Sequence, residues 1–199
     1  MRLLVAIALG SLLVSPMGGA DIERAQALAR ARDTERQQFH SRYVINLLDP
    51  VVTQIEVVTE FRRLVIIAEE HVLRGDWMFT RSVRAAGEAL ASTRGKITLK
   101  AQVRFSPMNT FIESPPYGMA ISAGAAGDNV PLEPIVSQLT PQFSVPFRTR
   151  EGKTLSSLIG ATIEAGVPTA RFGQGTWVIA VTLDGKEIDR CAVDFSRLD

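Results

Sequence analysis

Few side chains of this chain have the chemistry of a nucleophile or a metal ligand. The 199 residues include two histidines, His40 and His71, and one cysteine, Cys191. A helical zinc-protease motif needs a second histidine four residues from His71, and Ile67 and Gly75 occupy those two positions. Cys191 has apolar neighbours near the end of the chain, which is typical of a small buried hydrophobe. The sequence therefore predicts no metal and no cofactor.

Arg62 and Glu69 are the polar pair that best suggests a site. If residues 51–73 form one helix, both side chains fall inside its apolar arc, two turns apart. A partly buried ion pair and a ligand-binding pair are both open interpretations. In a carboxylate-dependent hydrolase or isomerase, Glu69, Glu70 and Arg62 would be the candidates. General acid–base catalysis needs carboxylates that converge in a cleft, which a sequence alone cannot establish.

Two aromatic residues accompany that pair, each near the end of a predicted loop. Trp77 lies in a predicted turn between two helices, and Tyr117 follows two prolines. Both rings are amphipathic, and recognition surfaces often use such residues beside loops. Anchoring in the core is the alternative for each. Together, Arg62, Glu69, Trp77 and Tyr117 form the predicted ligand or partner surface.

The first 20 residues have the layout of a secretory signal peptide. Arg2 is followed by an apolar run from Leu3 to Val14, and small residues precede Asp21. The run is shorter than the roughly 20 residues that span a bilayer. We therefore expect cleavage before Asp21 and export to the periplasm or the extracellular space, without stable membrane insertion afterwards.

Composition excludes several classes of protein. Hydrophobic residues make up 46% of the chain and charged residues 22%, which is typical of a globular domain. The formal net charge is +1, so no excess of basic residues is present to bind nucleic acid. An unidentified envelope protein or a small ligand remains as the expected partner.

Residues 21–95 are predicted to be helical. Residues 21–42 are rich in helix formers but carry a thin apolar stripe, which predicts an N-terminal helical arm with weak docking. A frayed segment and a partner-binding helix are both open for this arm. Residues 51–73 carry a broad helical stripe, although their β-branched content leaves a strand open. Arg74-Gly75-Asp76 then predicts a tight turn into a second helix that ends at Gly95, forming an antiparallel hairpin.

Residues 96–199 are predicted to be rich in strands. Apolar residues alternate from Ile97 to Phe105 and again from Tyr117 to Ile121, which is typical of half-buried strands. Asp184-Gly185 predicts a closing hairpin that pairs Val181 with Ile188, Thr182 with Glu187 and Trp177 with Ala192. A change of apolar phase after Arg190 indicates a β-bulge.

The sequence as a whole predicts one α+β folding unit. The N-terminal helical arm and antiparallel helical hairpin should pack on a C-terminal antiparallel β-sandwich-like sheet, which resembles immunoglobulin-like or C2-like modules in kind. The expected function is that of an exported, non-enzymatic cell-envelope binding or assembly module. The first alternative is the carboxylate-dependent enzyme, and the second is a periplasmic chaperone-like protein that uses the 21–42 arm.

Overall fold

The chain forms an α+β fold in which helices precede and interrupt two antiparallel sheets. The computed structural model describes residues 17–106, 108–109, 111–124, 131–148, 151–152, 154–172 and 175–198. Within these ranges the helices are α1 (Gly19–Ala29), α2 (Asp33–Ser41), α3 (Glu60–Leu73) and α4 (Val83–Ala89). The strands are β1 (Val44–Asn46), β2 (Val52–Val58), β3 (Lys96–Arg104), β4 (Tyr117–Ala123), β5 (Glu133–Ile135), β6 (Gln138–Phe143), β7 (Phe147–Arg148), β8 (Thr154–Leu155), β9 (Leu158–Pro168), β10 (Thr176–Leu183) and β11 (Lys186–Asp194). The predicted signal peptide falls mostly on residues 1–16, outside the described residues.

Two sheets face each other across one apolar core. The first sheet has the strand order β1-β2-β3-β9-β6 and the second has the order β11-β10-β4-β5, while β7 and β8 form a separate hairpin. Leu99 and Ile163 of the first sheet share a buried cluster with Ile121 and Ile179 of the second. This arrangement confirms the predicted α+β fold with a sheet-rich C-terminal region.

The prediction of a single helix over residues 51–73 is wrong in its first third. Residues 52–58 form β2, which lies between β1 and β3 in the first sheet. The β-branched residues of this segment lose side-chain freedom in a helix and pack well in a sheet, so tertiary pairing decides in favour of the strand. Thr59 then caps α3 by accepting a hydrogen bond from the Arg62 N–H at 3.2 Å.

The helices pack together at one end of the sandwich. They have a buried cluster of their own, which includes Ile22, Leu64 and Leu90. Because α3 follows the end of β2 and β3 begins shortly after α4, the helices lie where β2 ends and β3 starts. We call this the helical end of the protein.

The N-terminal segment is docked more firmly than its thin stripe predicts. Ile22, Ala25 and Ala29 of α1 are buried, and α1 packs along α3. The Gln26 side chain donates hydrogen bonds to the carbonyls of Phe79 and Ser82, at 3.0 and 3.2 Å. Small alanines allow a close approach between helices, so a narrow stripe suffices for docking.

The predicted turn after α3 is present, but the second helix begins later than expected. Gly75 adopts a φ of +75°, the left-handed conformation predicted for the end of the helix. Asp76 accepts hydrogen bonds from the Phe79 N–H and from His71 Nδ1, at 3.2 and 2.8 Å. A short 3-10 turn follows, and α4 starts only at Val83.

The closing hairpin has the predicted turn and a different register beyond it. Asp184 and Gly185 have φ values of +50° and +74°, as a type I′ turn requires. Thr182 pairs with Glu187 as predicted, but a bulge follows at once. The pairs predicted further along are wrong because the bulge precedes Asp189, so that the observed partners are Val181 with Asp189 and Trp177 with Val193.

Candidate functional site

Arg62 is the centre of a buried polar cluster between β2 and the helices. Its guanidinium group donates to the Glu56 carboxylate at 2.5 Å and to the Val57 carbonyl at 2.6 Å. The Arg62 side chain is buried, and this burial lowers the pKa of its guanidinium against the opposing effect of Glu56. The sequence pattern does not indicate Glu56 as a partner, because it predicts one helix that contains both Glu56 and Arg62.

Arg62 completes the hydrogen bonding of a strand end. The Val57 N–H donates to the Tyr43 carbonyl, but the Tyr43 N–H is directed back to the His40 carbonyl at the end of α2. The Val57 carbonyl consequently receives its hydrogen bond from Arg62. The guanidinium group thus continues the β1–β2 ladder beyond the point where the backbone of α2 turns away.

His40 joins Arg62 to Glu69. The Arg62 Nε–H donates to His40 Nδ1 at 3.4 Å, and His40 Nε2 lies 3.0 and 3.1 Å from the two oxygens of Glu69. Because the Arg62 nitrogen can only donate, His40 Nδ1 accepts and Nε2 carries the proton given to Glu69. The predicted Arg62–Glu69 ion pair is therefore mediated by a histidine, which the sequence placed on a weakly docked arm.

The polar groups of this cluster bind one another, which is typical of a cluster that stabilises the fold. Both ring nitrogens of His40 form hydrogen bonds within the protein, one with Arg62 and one with the Glu69 carboxylate. Glu70 points to solvent, with Arg74 3.6 Å away. The two glutamates therefore do not converge on a common cleft, which general acid–base catalysis requires.

Trp77 and Tyr117 lie apart from this cluster and from each other. Trp77 is exposed in the turn between α3 and α4, at the helical end. Tyr117 begins β4 at the opposite end, where it stacks on Phe105 with ring centroids 5.8 Å apart. Burial, reinforced by the charge of Asp49, raises the pKa of Tyr117. Of the four predicted residues, the structure brings together only Arg62 and Glu69.

The end of the sandwich that contains Tyr117 exposes many large apolar side chains. Several contacts bring its loops together: the Arg104 N–H donates to the Val51 carbonyl, the Phe105 N–H donates to the Ile159 carbonyl, and Phe105 packs edge-on against Phe111. We call this surface the apolar end and define it by eight exposed residues, Leu48, Met108, Phe111, Ile112, Phe143, Val145, Leu155 and Ile159. No local pattern in the sequence indicates this surface, because its members are spread over several loops and strand ends.

Cys191 is shielded, as the sequence predicts. The thiol is buried in β11, and this burial, together with the nearby Asp189, raises its pKa to about 12. A thiolate nucleophile is disfavoured under such conditions.

Comparisons of the chain with family models, with curated proteins and with solved structures give no match. In the described ranges, none of the helices is long and apolar enough to cross a membrane. The described residues also contain no group of three or more His, Cys, Asp or Glu side chains placed to hold a metal ion.

Proposed function

We propose that the protein is an exported, non-enzymatic binding module of the cell envelope that docks another protein at its apolar end. One observation carries this proposal. Eight large apolar side chains are exposed at a single end of the sandwich, opposite the helices. Apolar surface of this kind on a soluble protein usually marks an interaction site.

The charges around the apolar end favour a protein partner over a lipid surface. Peripheral proteins that insert apolar side chains into anionic membranes add a collar of basic residues. The described charged residues near this end that are exposed or half-exposed have both signs, and they include Arg104, Arg148, Lys186, Asp49, Glu113, Glu151 and Asp184. A mixed rim of this kind is typical of protein interfaces.

The shape of the apolar end favours a partner other than a second copy. Met108, Ile112 and Val145 are 89%, 93% and 85% exposed, so their side chains project into solvent from two loops, the β3–β4 loop and the β6–β7 loop. Two copies of a projecting surface make poor contact with each other, whereas a concave apolar groove on another protein can enclose it. The expected partner is an envelope protein that presents such a groove.

Export is part of the proposal and has its own test. The apolar run and small residues of the first 20 positions support cleavage before Asp21. N-terminal sequencing of the protein from cells should give a mature chain that begins at Asp21. A mature chain that begins at Met1 would contradict export by this route.

A triple substitution tests the docking surface. Met108→Ser, Ile112→Ser and Val145→Ser together should leave the denaturation midpoint nearly unchanged, because these side chains are already in water. On native electrophoresis of envelope extracts, the wild-type protein should migrate in a larger complex and the triple variant should migrate alone.

The matched control changes three equally exposed side chains elsewhere. Leu73, Met78 and Val136 are 79%, 80% and 94% exposed and lie outside the apolar end. Their combined change to serine should leave the complex intact. The proposal is wrong if both triple variants behave alike, if purified wild-type protein forms the complex by itself, or if liposomes alone bind it.

The two alternative functions have less support from the geometry. A carboxylate-dependent hydrolase or isomerase needs Glu69 or Glu70 free in a cleft. Glu69 binds His40 instead, and Glu70 faces solvent. A chaperone-like protein that uses residues 21–42 needs exposed apolar residues there. The apolar face of α1 is buried against α3.

A further inference from the structure

One edge of the second sheet is less protected than the other sheet edges. β5 and β6 each contain a proline, Pro134 or Pro141, and β1 has three residues. Prolines and short strands are common devices against pairing with another chain. β11 has nine residues and contains no proline.

The register of β11 shows which backbone groups face its outer edge. The Phe195 N–H donates to the Gly175 carbonyl at 3.0 Å, which makes this a hydrogen-bonded pair next to the Thr176–Asp194 pair. Because hydrogen-bonded pairs alternate along an antiparallel ladder, Val193 and Cys191 also bond to β10. The N–H and C=O groups of Ala192 and Asp194 therefore point away from β10.

The first half of β11 is protected against pairing with another chain by a bulge and by side-chain hydrogen bonds. The bulge interrupts its regular edge at Ile188. The Asp189 carboxylate accepts the Arg190 N–H at 2.8 Å, and the Arg190 side chain is paired with Glu187. The accessible part of the edge is therefore confined to residues 192–194.

A groove of about 500 Å³ runs beside this accessible part. Its far wall is formed by β1 and the end of α2, so it lies between the outer strands of the two sheets. Ile45, Val193 and Leu198 supply apolar surface, and Arg42 and Arg197 supply positive charge. Arg197 is paired with Asp194 at 3.1 Å. No described carboxylate forms an ion pair with Arg42, so the described residues that line the groove carry two positive charges and one negative charge.

We propose that β11 binds an extended segment of another protein by strand addition at Ala192–Asp194, and that this segment carries acidic side chains that Arg42 attracts. The backbone of the segment would pair with Ala192 and Asp194, while an apolar side chain would enter the groove. A second copy is a poor occupant because symmetric pairing around Ala192 would set two positive grooves against each other.

Two synthetic peptides serve as probes. One is acetyl-Glu-Val-Glu-Val-Glu-Val-amide, and the other has lysine in place of each glutamate. On the full-length protein, the glutamate peptide should slow amide hydrogen exchange at Ala192 and Asp194, and the lysine peptide should not. Arg42→Gln should weaken binding of the glutamate peptide about fivefold, with less effect at high salt.

Ala192→Pro tests the backbone pairing, because proline removes an N–H that points away from β10 and edge strands tolerate it there. Binding should fall about tenfold or more, while Ala192→Ser, which keeps the N–H, should bind as the wild type does. If Ala192→Pro does not fold, N-methylation of alternate peptide residues gives the same information. Methylation of the peptide N–H groups that point towards β11 should abolish binding. Methylation of the alternate N–H groups, which point away from β11, should not.

Several results would overturn the proposal. Equal binding of the glutamate and lysine peptides would refute the role of charge, and equal binding of both N-methylated series would refute strand addition. Protection of Ala192 that increases with protein concentration without peptide would identify a second copy as the occupant. Absence of binding by both peptides would also overturn it. None of these results bears on the apolar end, which lies on another part of the protein.

Discussion

Replacing Arg62 by methionine tests the role of the buried polar cluster. Methionine keeps the apolar stem of the side chain but provides no donor for Val57, Glu56 or His40. The largest loss comes from the Val57 carbonyl, which belongs to a fully buried residue and depends on Arg62 at 2.6 Å. Leaving a buried carbonyl without its donor costs about 1–3 kcal/mol.

The other contacts of Arg62 add less to this cost. Glu56 and His40 are partly exposed, so water can replace part of what they lose. Such partly screened contacts contribute up to about 1 kcal/mol. We therefore expect Arg62→Met to lower the free energy of unfolding by about 1–4 kcal/mol. A loss of about 3 kcal/mol corresponds to a fall of about 6–12 °C in Tm for a chain of this length.

Urea denaturation followed by circular dichroism measures the change. Arg74→Met is the matched control, because Arg74 is 72% exposed at the end of the same helix and pairs with Glu70 at 3.6 Å. Its effect should stay below about 0.5 kcal/mol. Arg62→Lys should lose much of the stability as well, since one ammonium group cannot reach all the partners of the guanidinium, which are Glu56, Val57, His40 and the Tyr43 carbonyl. Equal midpoints for Arg62→Met and Arg74→Met would refute the structural role of the cluster.

Three further substitutions or reactions test separate parts of the fold. Val65→Asp should lower the free energy of unfolding by several kcal/mol, since Val65 is fully buried. In the same urea titration, Glu70→Gln on the exposed side of α3 should change it by less than about 0.5 kcal/mol. Gly185→Val should lower the free energy of unfolding by about 1–3 kcal/mol, because Gly185 has a positive φ. Gly166→Val on β9 should leave it unchanged, because a side chain there meets open space. Equal effects of the two substitutions would mean that the turn is not type I′. Cys191 should react with a thiol reagent only after denaturation, and its native labelling should stay slow from pH 7 to 9 because its pKa of about 12 leaves almost no thiolate. Rapid stoichiometric labelling of the native protein would contradict its burial.

Local patterns in the sequence predict much of the sheet but not the start of α3. The alternation from Ile97 to Phe105 depends on the period of a strand, and β3 appears as expected. The segment 52–58 carries apolar residues at spacings that suit both a helix and a strand. Its pairing with β1 and β3 decides the outcome, and the partners in β3 are 40 to 51 residues away in the sequence, from Val58–Thr98 to Val52–Val103. Such a long-range contact has no local signal beyond the β-branched composition.

The candidate site could be predicted only in part for the same reason. The burial of Arg62 follows from its position on the apolar face of α3, and a buried guanidinium implies a carboxylate nearby. Which carboxylate binds it depends on the corner between β2 and α3, and the link through His40 depends on the docking of α2. The apolar end depends on the convergence of loops from separate strands, which appears only when both sheets are assembled.

The proposed binding of another protein at the apolar end can be tested in living cells. In-cell photo-cross-linking tests it most directly, with a photoreactive amino acid placed at position 112 in one variant and at position 78 in another. Ile112 belongs to the apolar end, and Met78 is similarly exposed at the helical end. We expect one discrete protein adduct from position 112, none from position 78, and loss of the adduct when Met108 and Val145 are changed to serine. Equal adducts from both positions, adducts with lipid or with a second copy, or no adduct from position 112 would contradict it.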